Sequence, residues 1–224
     1  QRQMCIRDSL EAGVQSFYQP SLKAVSRRQD EQKTLDNLRF IREQTGAEIH
    51  ADLVAGLPYS TYDTFSRDFD KLMAVRPQEL QLGILKRLRG APIDRHSQVC
   101  AMVYSKYPPY EIMQNKDMSY AELQRIKRIA RYLDIFYNSG NFPHTVELLL
   151  GAQASCFAAM DDFSRFIWEN YQQTHKISIG RQTRILFEYL QKYYPLQEIA
   201  TALLADYDGK GRKDNVCYLR EILK

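Results

Sequence analysis

The stretch Ile49-His50-Ala51-Asp52-Leu53-Val54-Ala55-Gly56-Leu57-Pro58 decides the fold. A short run rich in apolar residues ends at a Gly-Leu-Pro turn, which reads as a strand. Helical patterns flank it on both sides. Upstream, a helical stretch runs from Pro20-Ser21 through Gln44, with Leu35, Leu38 and Ile41 at helix spacing and Gly46 as its stop. Downstream, Ser60 or Thr61 can cap a helix whose Tyr62, Phe65, Phe69, Leu72 and Met73 form one apolar stripe. Beyond these helices lie two more strand candidates, EAGVQSF (residues 11–17) and ELQLGILKRL (residues 79–88), the second ended by Arg89-Gly90-Ala91-Pro92. Strand, helix, strand, helix, strand implies parallel strands joined by crossovers.

The strands are not wholly apolar. Gln15, Asp52 and Gln81 interrupt them, and a polar residue within a parallel sheet needs a partner. Such residues either face a ligand or serve as structural hydrogen-bonders; strand position alone leaves both open. From Arg95 onward strand signals fade. Tyr107-Pro108-Pro109-Tyr110 reads as an extended connector, and Ser119 to Asn138 as a helix opened by a Ser119/Glu122 capping box and stopped by Gly140. Further helices are expected near 144–150, 155–173, 180–193, 196–206 and 213–223. The expected class is α/β followed by all-α, with an α/β part over 10–95 and a helical part over 96–224.

Composition sets the outer bounds. The 224 residues are 44% hydrophobic and 26% charged, which excludes disorder and collagen-like structure. No apolar run is long enough to span a membrane. A net charge of +4 permits an anionic ligand without demanding nucleic acid. Cys5, Cys100, Cys156 and Cys217 are too scattered for a disulfide framework or a local metal cluster, which suits a reducing cytoplasm. The opening QRQMCIRDS (residues 1–9) has no periodicity and looks like translated sequencing adapter, so native sequence is expected to begin near Leu10.

In their order and spacing, EAGVQSF, HADLVAGLP and LQLGILKRLRG resemble the second half of a radical S-adenosylmethionine (SAM) barrel. The nearest type carries an N-terminal cobalamin-binding domain, the radical SAM core and a C-terminal helical domain of unassigned function. Pro108 to Gly140 resembles the start of that helical domain. The resemblance implies a truncated partial TIM barrel containing only its late βα units. It also implies SAM, a 4Fe-4S cluster and cobalamin as cofactors of the intact enzyme, with a reductant for the cluster and an unknown substrate as partners. The CxxxCxxC loop that holds the cluster in such enzymes is absent, as is their glycine-rich SAM segment. The chain alone is therefore expected to be a catalytically inactive piece with metal ligands missing and with exposed strand edges.

Carried over by motif, Gln15 and Ser16 match polar positions near the SAM ribose and methionine portions. Arg27 matches an arginine directed at the SAM carboxylate, with Arg28 beside it leaving the register open by one. Asp52 matches an acid that hydrogen-bonds ribose hydroxyls. Gly56, Leu57 and Pro58 match a turn beside the adenine, and the last strand closes the site at Leu88. RGAP departs from the commoner Gly-Thr-Pro ending. The residue types suit the ligand: a guanidinium forks onto a carboxylate, an ionised Asp accepts from hydroxyls, and Gly admits backbone close to a flat ring. Taken without the resemblance, Arg27 and Arg28 read as solvated surface, Asp52 as structural and Gly56-Leu57-Pro58 as only a turn.

Two rival readings stand beside this one. One is a radical SAM protein of the oxygen-independent coproporphyrinogen oxidase type, without cobalamin. The other is a non-catalytic helical module that binds RNA or a partner protein; nucleic acid is otherwise not indicated. Weaker signals carry less. Asp206-Tyr207-Asp208-Gly209-Lys210-Gly211 fails the calcium-loop pattern and reads as an interhelical turn. Lys210, Arg212, Lys213 and Arg220 read as solvated surface. His50 shares a strand face with Asp52, so a role on that face is open.

Overall fold

Alternating burial along the middle strand shows how the chain builds its sheet. The computed structural model describes residues 9–88, 90–209 and 216–224. The expectations for Cys5 and its segment, Arg89, Lys210, Gly211, Arg212 and Lys213 lie outside the described residues. In strand β2 (Glu48–Ala55), Ile49, Ala51, Leu53 and Ala55 are buried while Glu48, His50, Asp52 and Val54 stay partly exposed. Parallel neighbours β1 (Ser9–Gln15) and β3 (Glu79–Ile84) flank it in the order β1-β2-β3. Ser9, assigned from sequence to a foreign segment, instead pairs with Glu48 as the first residue of β1. Between the strands run α1 (Gln19–Ala24), α2 (Glu31–Gln44) and α3 (Tyr62–Met73).

The helices cover the apolar side of the pleat. Leu35 and Leu38 of α2 and Phe65, Phe69, Leu72 and Met73 of α3 are buried, and both helices contact β2. Each fully buried side chain of this size contributes about 1.5–3 kcal/mol of transfer free energy. Thr61 caps α3 in a box with Thr64, as the sequence allowed. The single helix expected from Pro20 to Gln44 is in fact two. Ser26 takes φ +59, and the Arg27 N–H reaches back to the Leu22 carbonyl at 2.9 Å, closing α1. Asp30 then caps α2 by accepting from the Lys33 N–H at 2.8 Å.

The third strand stops at Ile84, short of the expected Leu88. Its continuation pairs elsewhere: the Ile112 N–H donates to the Leu85 carbonyl at 2.8 Å and the Arg87 N–H to the Tyr110 carbonyl at 2.9 Å. A short antiparallel ribbon, β4 (Val103–Tyr104) and β5 (Ile112–Gln114), stands where a connector was expected. Tyr107-Pro108-Pro109-Tyr110 is the bend between its strands. Helix α4 (Tyr120–Leu133) follows, opened by the expected Ser119/Glu122 box, in which the Ser119 N–H donates to Glu122 Oε2 at 2.7 Å.

The chain forms two compact units that divide within α4, the first ending at Ala130 and the second running from Arg131 to Lys224. The second unit is helical. A π-helical turn (Asp134–Asn138) leads to α5 (Thr145–Gly151), α6 (Cys156–Tyr171), α7 (Ile179–Leu190), α8 (Leu196–Asp208) and α9 (Cys217–Ile222). Phe136, Phe163 and Tyr189 pack edge-to-face and tilted through its core with ring centroids 4.9 Å apart at each step. Asp206 is no turn residue: it is buried within α8. It accepts from the His144 and Thr145 N–H groups, each at 2.8 Å, and from the Thr145 hydroxyl at 2.6 Å, satisfying the start of α5. No helix among the described residues is long and apolar enough to cross a membrane.

Candidate functional site at the strand ends

Parallel sheets place ligands beyond the C-terminal ends of their strands. A cavity of about 720 Å³ opens there, between the ends of β1–β3, the residues Leu85, Lys86, Leu88, Ala91, Pro92 and Ile93, Glu111 and α4. That volume lies within the usual range for small-molecule sites. Its walls are mostly aliphatic, including Val25, Val54, Leu57, Leu82, Ile84 and Ile93, with the amides of Gln15 and Gln81 among them. Gln15 sits beyond a register shift in β1 and adopts φ +64. A non-glycine residue held there at a cavity wall is a conformational outlier of the kind that clusters at binding sites.

The structure divides the residues expected to bind SAM. Gln15, Leu57 and Leu88 line the main cavity; Leu88 is 66% exposed at its mouth. Asp52 lies in an adjoining hollow of about 230 Å³ with Glu11, His50 and Glu79, and Gln81 lines both spaces. Burial raises the Asp52 pKa, helped by the nearby charges of Glu11 and Glu79 and partly opposed by His50. His50 Nδ1 lies 3.2 Å from Glu79 Oε2. Arg27 lines a separate surface groove, and its Nη1 donates to the Gly13 carbonyl at 2.5 Å.

Ser16 and the Gly-Leu-Pro turn are engaged by the protein itself. The Ser16 hydroxyl is buried and donates to Asp68 Oδ2 at 2.6 Å, while the Phe17 N–H donates to the same oxygen at 2.9 Å. The Gly56 carbonyl accepts from Asn115 Nδ2 at 3.0 Å, the Leu57 carbonyl from the Ser60 N–H at 3.2 Å, and the Pro58 carbonyl from the Ser21 hydroxyl at 2.7 Å. Gly56 has φ +84, and a Cβ built on it would lie 2.6 Å from Ile112 Cγ2. The missing side chain is thus demanded by the ribbon strand β5, whatever else the turn approaches.

Sequence reasoning missed three kinds of residue. Asp68 sits among the apolar positions of α3, and a carboxylate inside such a stripe was the available signal. Burial raises its pKa, against the hydrogen bonds from Ser16 and Phe17. Glu111 and Lys127 also escaped, because their ion pair at 2.5 Å joins the residue just before β5 to a helix. Lys86, on the cavity wall, was read only as part of a strand.

Fold and site together define a mixed α/β protein with a ligand-sized cavity at the strand ends of a small parallel sheet, followed by a helical region. Residues 100–224, more than half of the chain, match the family described as "Protein of unknown function (DUF4080)", and the chain belongs to that family. It is also 36% identical over 70 residues to the oxygen-independent coproporphyrinogen III oxidase of Pseudomonas aeruginosa. That stretch is 31% of this chain and spans 15% of the oxidase.

Proposed function

We propose that the chain supplies the late βα units and the helical region of a radical SAM enzyme, with the strand-end cavity as its SAM and substrate chamber. The carrying observation is the cavity at the C-terminal ends of three consecutive parallel strands, with Gln15, Leu57 and Leu88 on its wall. The partial identity to the oxidase supports the same superfamily.

The cofactors fit unequally. Aliphatic walls suit the adenine ring and the methylene chain of SAM, and the Gln15 and Gln81 amides can donate to its ribose or carboxylate oxygens. The residues present do not fit an iron–sulfur cluster. Cys100, Cys156 and Cys217 are dispersed, and no three His, Cys, Asp or Glu side chains among the described residues are grouped to hold a metal. Ligands for a cluster belong to the proposed remainder of the enzyme. In this reading the residues described bind, orient and shield. Cobalamin enters only through the resemblance of the helical region.

The oxidase-like variant of this reading, without cobalamin, is favoured by the partial identity; the family match over residues 100–224 favours the type with a separate helical domain. The test is anaerobic purification of the full-length gene product, reduction, and assay for 5′-deoxyadenosine from SAM. Release of 5′-deoxyadenosine, weakened by Gln15→Ala, supports the proposal. A full-length product without a CxxxCxxC loop, or without SAM cleavage after cluster reconstitution, would sink it. A cobalamin absorption spectrum separates the two variants.

A further inference from the structure

The strand-end cavity is apolar except for a few groups, and those groups are not balanced in charge. Besides the two glutamines, its ionisable lining is Lys86, Lys127 and Glu111. Lys127 Nζ is paired with Glu111 Oε2 at 2.5 Å, with the two side chains only 37% and 26% exposed. Lys86, exposed on the same wall, stands opposite Glu111 in an antiparallel bridge, but the Glu111 carboxylate forms its ion pair with Lys127. The lining therefore carries one ammonium more than it carries carboxylates. Glu111 and Lys127 both fall within the region that defines the family, whereas the strands that form the cavity floor precede it.

We propose that Lys86 and Lys127 form an anion-recognition pair, and that the cavity takes a small amphiphile: an apolar body with one anionic oxygen group, a carboxylate or a phosphate. This deepens the reading of the cavity as a substrate chamber and rests on it. The apolar body covers the aliphatic wall, and its burial supplies affinity. The anionic group meets Lys86 directly and competes with Glu111 for Lys127. Ammonium groups act as point charges and take either oxyanion, so the pair selects charge more than shape. Glu111 is then a specificity-determining residue: it holds Lys127 in place when the cavity is empty and sets the threshold an incoming anion must pass. The family region would contribute to substrate choice through these two side chains.

The test uses the full chain and two fluorescent probes of matched shape, anionic 1-anilinonaphthalene-8-sulfonate and neutral N-phenyl-1-naphthylamine. The wild-type chain is expected to bind the anionic dye about tenfold more tightly, as an extra desolvated charge contact would give. Lys86→Gln and Lys127→Gln should each weaken the anionic dye about fivefold and leave the neutral dye within about twofold, on the same scale. Glu111→Gln should strengthen the anionic dye, because it frees Lys127; a merely structural ion pair would produce weakening of both dyes instead. Ala130→Trp, which fills the cavity, should weaken both. Octanoate and octyl phosphate as competitors then separate the two oxyanions. Equal affinity for the two dyes, a loss of both in Glu111→Gln, or dye binding indifferent to Ala130→Trp overturns the proposal. Because no probe needs SAM or a cluster, failure here is distinguishable from failure of the radical SAM reading.

Discussion

Replacing Gly56 by Ala tests whether this turn is shaped by the protein's own packing. Two costs can be worked from the structure. The residue sits at φ +84, where a Cβ costs about 1–2 kcal/mol in left-handed backbone. The new methyl would also stand 2.6 Å from Ile112 Cγ2, far inside a normal carbon contact, and Ile112 is 2% exposed with little room to retreat. Overpacking of this kind costs about 1–3 kcal/mol. The expected total is about 2–5 kcal/mol, read from urea unfolding of the chain. A double-mutant cycle separates the parts. Ile112→Ala removes Cγ2, so in that background Gly56→Ala should cost only the backbone part, about 1–2 kcal/mol. Leu123 Cδ2, the next neighbour at 3.5 Å, is at an ordinary contact distance and adds no clash. A cost below about 1 kcal/mol, or the same cost in both backgrounds, refutes the argument.

Other substitutions follow from the same accounting. Asp68→Ala leaves the Ser16 hydroxyl and the Phe17 N–H without their buried acceptor and should destabilise by about 2–4 kcal/mol. Asp68→Asn keeps an acceptor and sheds a buried charge, and denaturant unfolding should place it within about 1 kcal/mol of wild type. Asp206→Ala removes the acceptor for three donors at the start of α5 and should cost about 2–4 kcal/mol, with loss of helical circular dichroism at lower temperature. Asp52 has a raised pKa, so the folded state holds its proton more tightly than the unfolded chain does, and ionisation costs stability above that pKa. Asp52→Asn should therefore stabilise at neutral pH by a few tenths to about 1 kcal/mol. That gain should fade as pH falls through the carboxylate range and the wild-type Asp becomes neutral. A gain that grows in acid would contradict the sign.

The strand–helix alternation was legible because periodicity reports burial, and burial on the pleat is strict: Ile49, Ala51, Leu53 and Ala55 are each at most 1% exposed. Caps at Thr61, Ser119 and Ser155 were or could have been read for the same local reason. The break between α1 and α2 was less legible, since Asp30 competes for the helix as a cap only once Ser26 turns left-handed. The ribbon was not legible at all. Its strands are two and three residues long, too short for any period to register, and the Pro108-Pro109 segment between them reads as an extended connector rather than a hairpin turn. The same limit applies at the site. Gln15 reaches the cavity through a register shift that sequence does not announce, and Lys127 meets Glu111 only after α4 and the ribbon fold together.

The open side of the sheet bears on what the cavity serves. Parallel sheets normally bury both faces and read as continuous apolar strands. Here the register brings Glu11, His50 and Glu79 into one row across all three strands, with Asp52 beside Gln81 in the next. A face meant to meet another apolar layer would not carry three carboxylates and an imidazole, because burying them unpaired costs more than the layer returns. Toward the C-terminal ends the same face changes to Val54 and Gly83, which line the main cavity with Gln15 and Leu57. The gradient from charged to apolar along the strands is what a chamber needs if it is wet at one end and excludes water where a ligand sits. That gradient supports the chamber reading independently of any family resemblance, and it explains why Asp52 and Gln15, expected in one site, lie in adjoining spaces that share Gln81 as a wall.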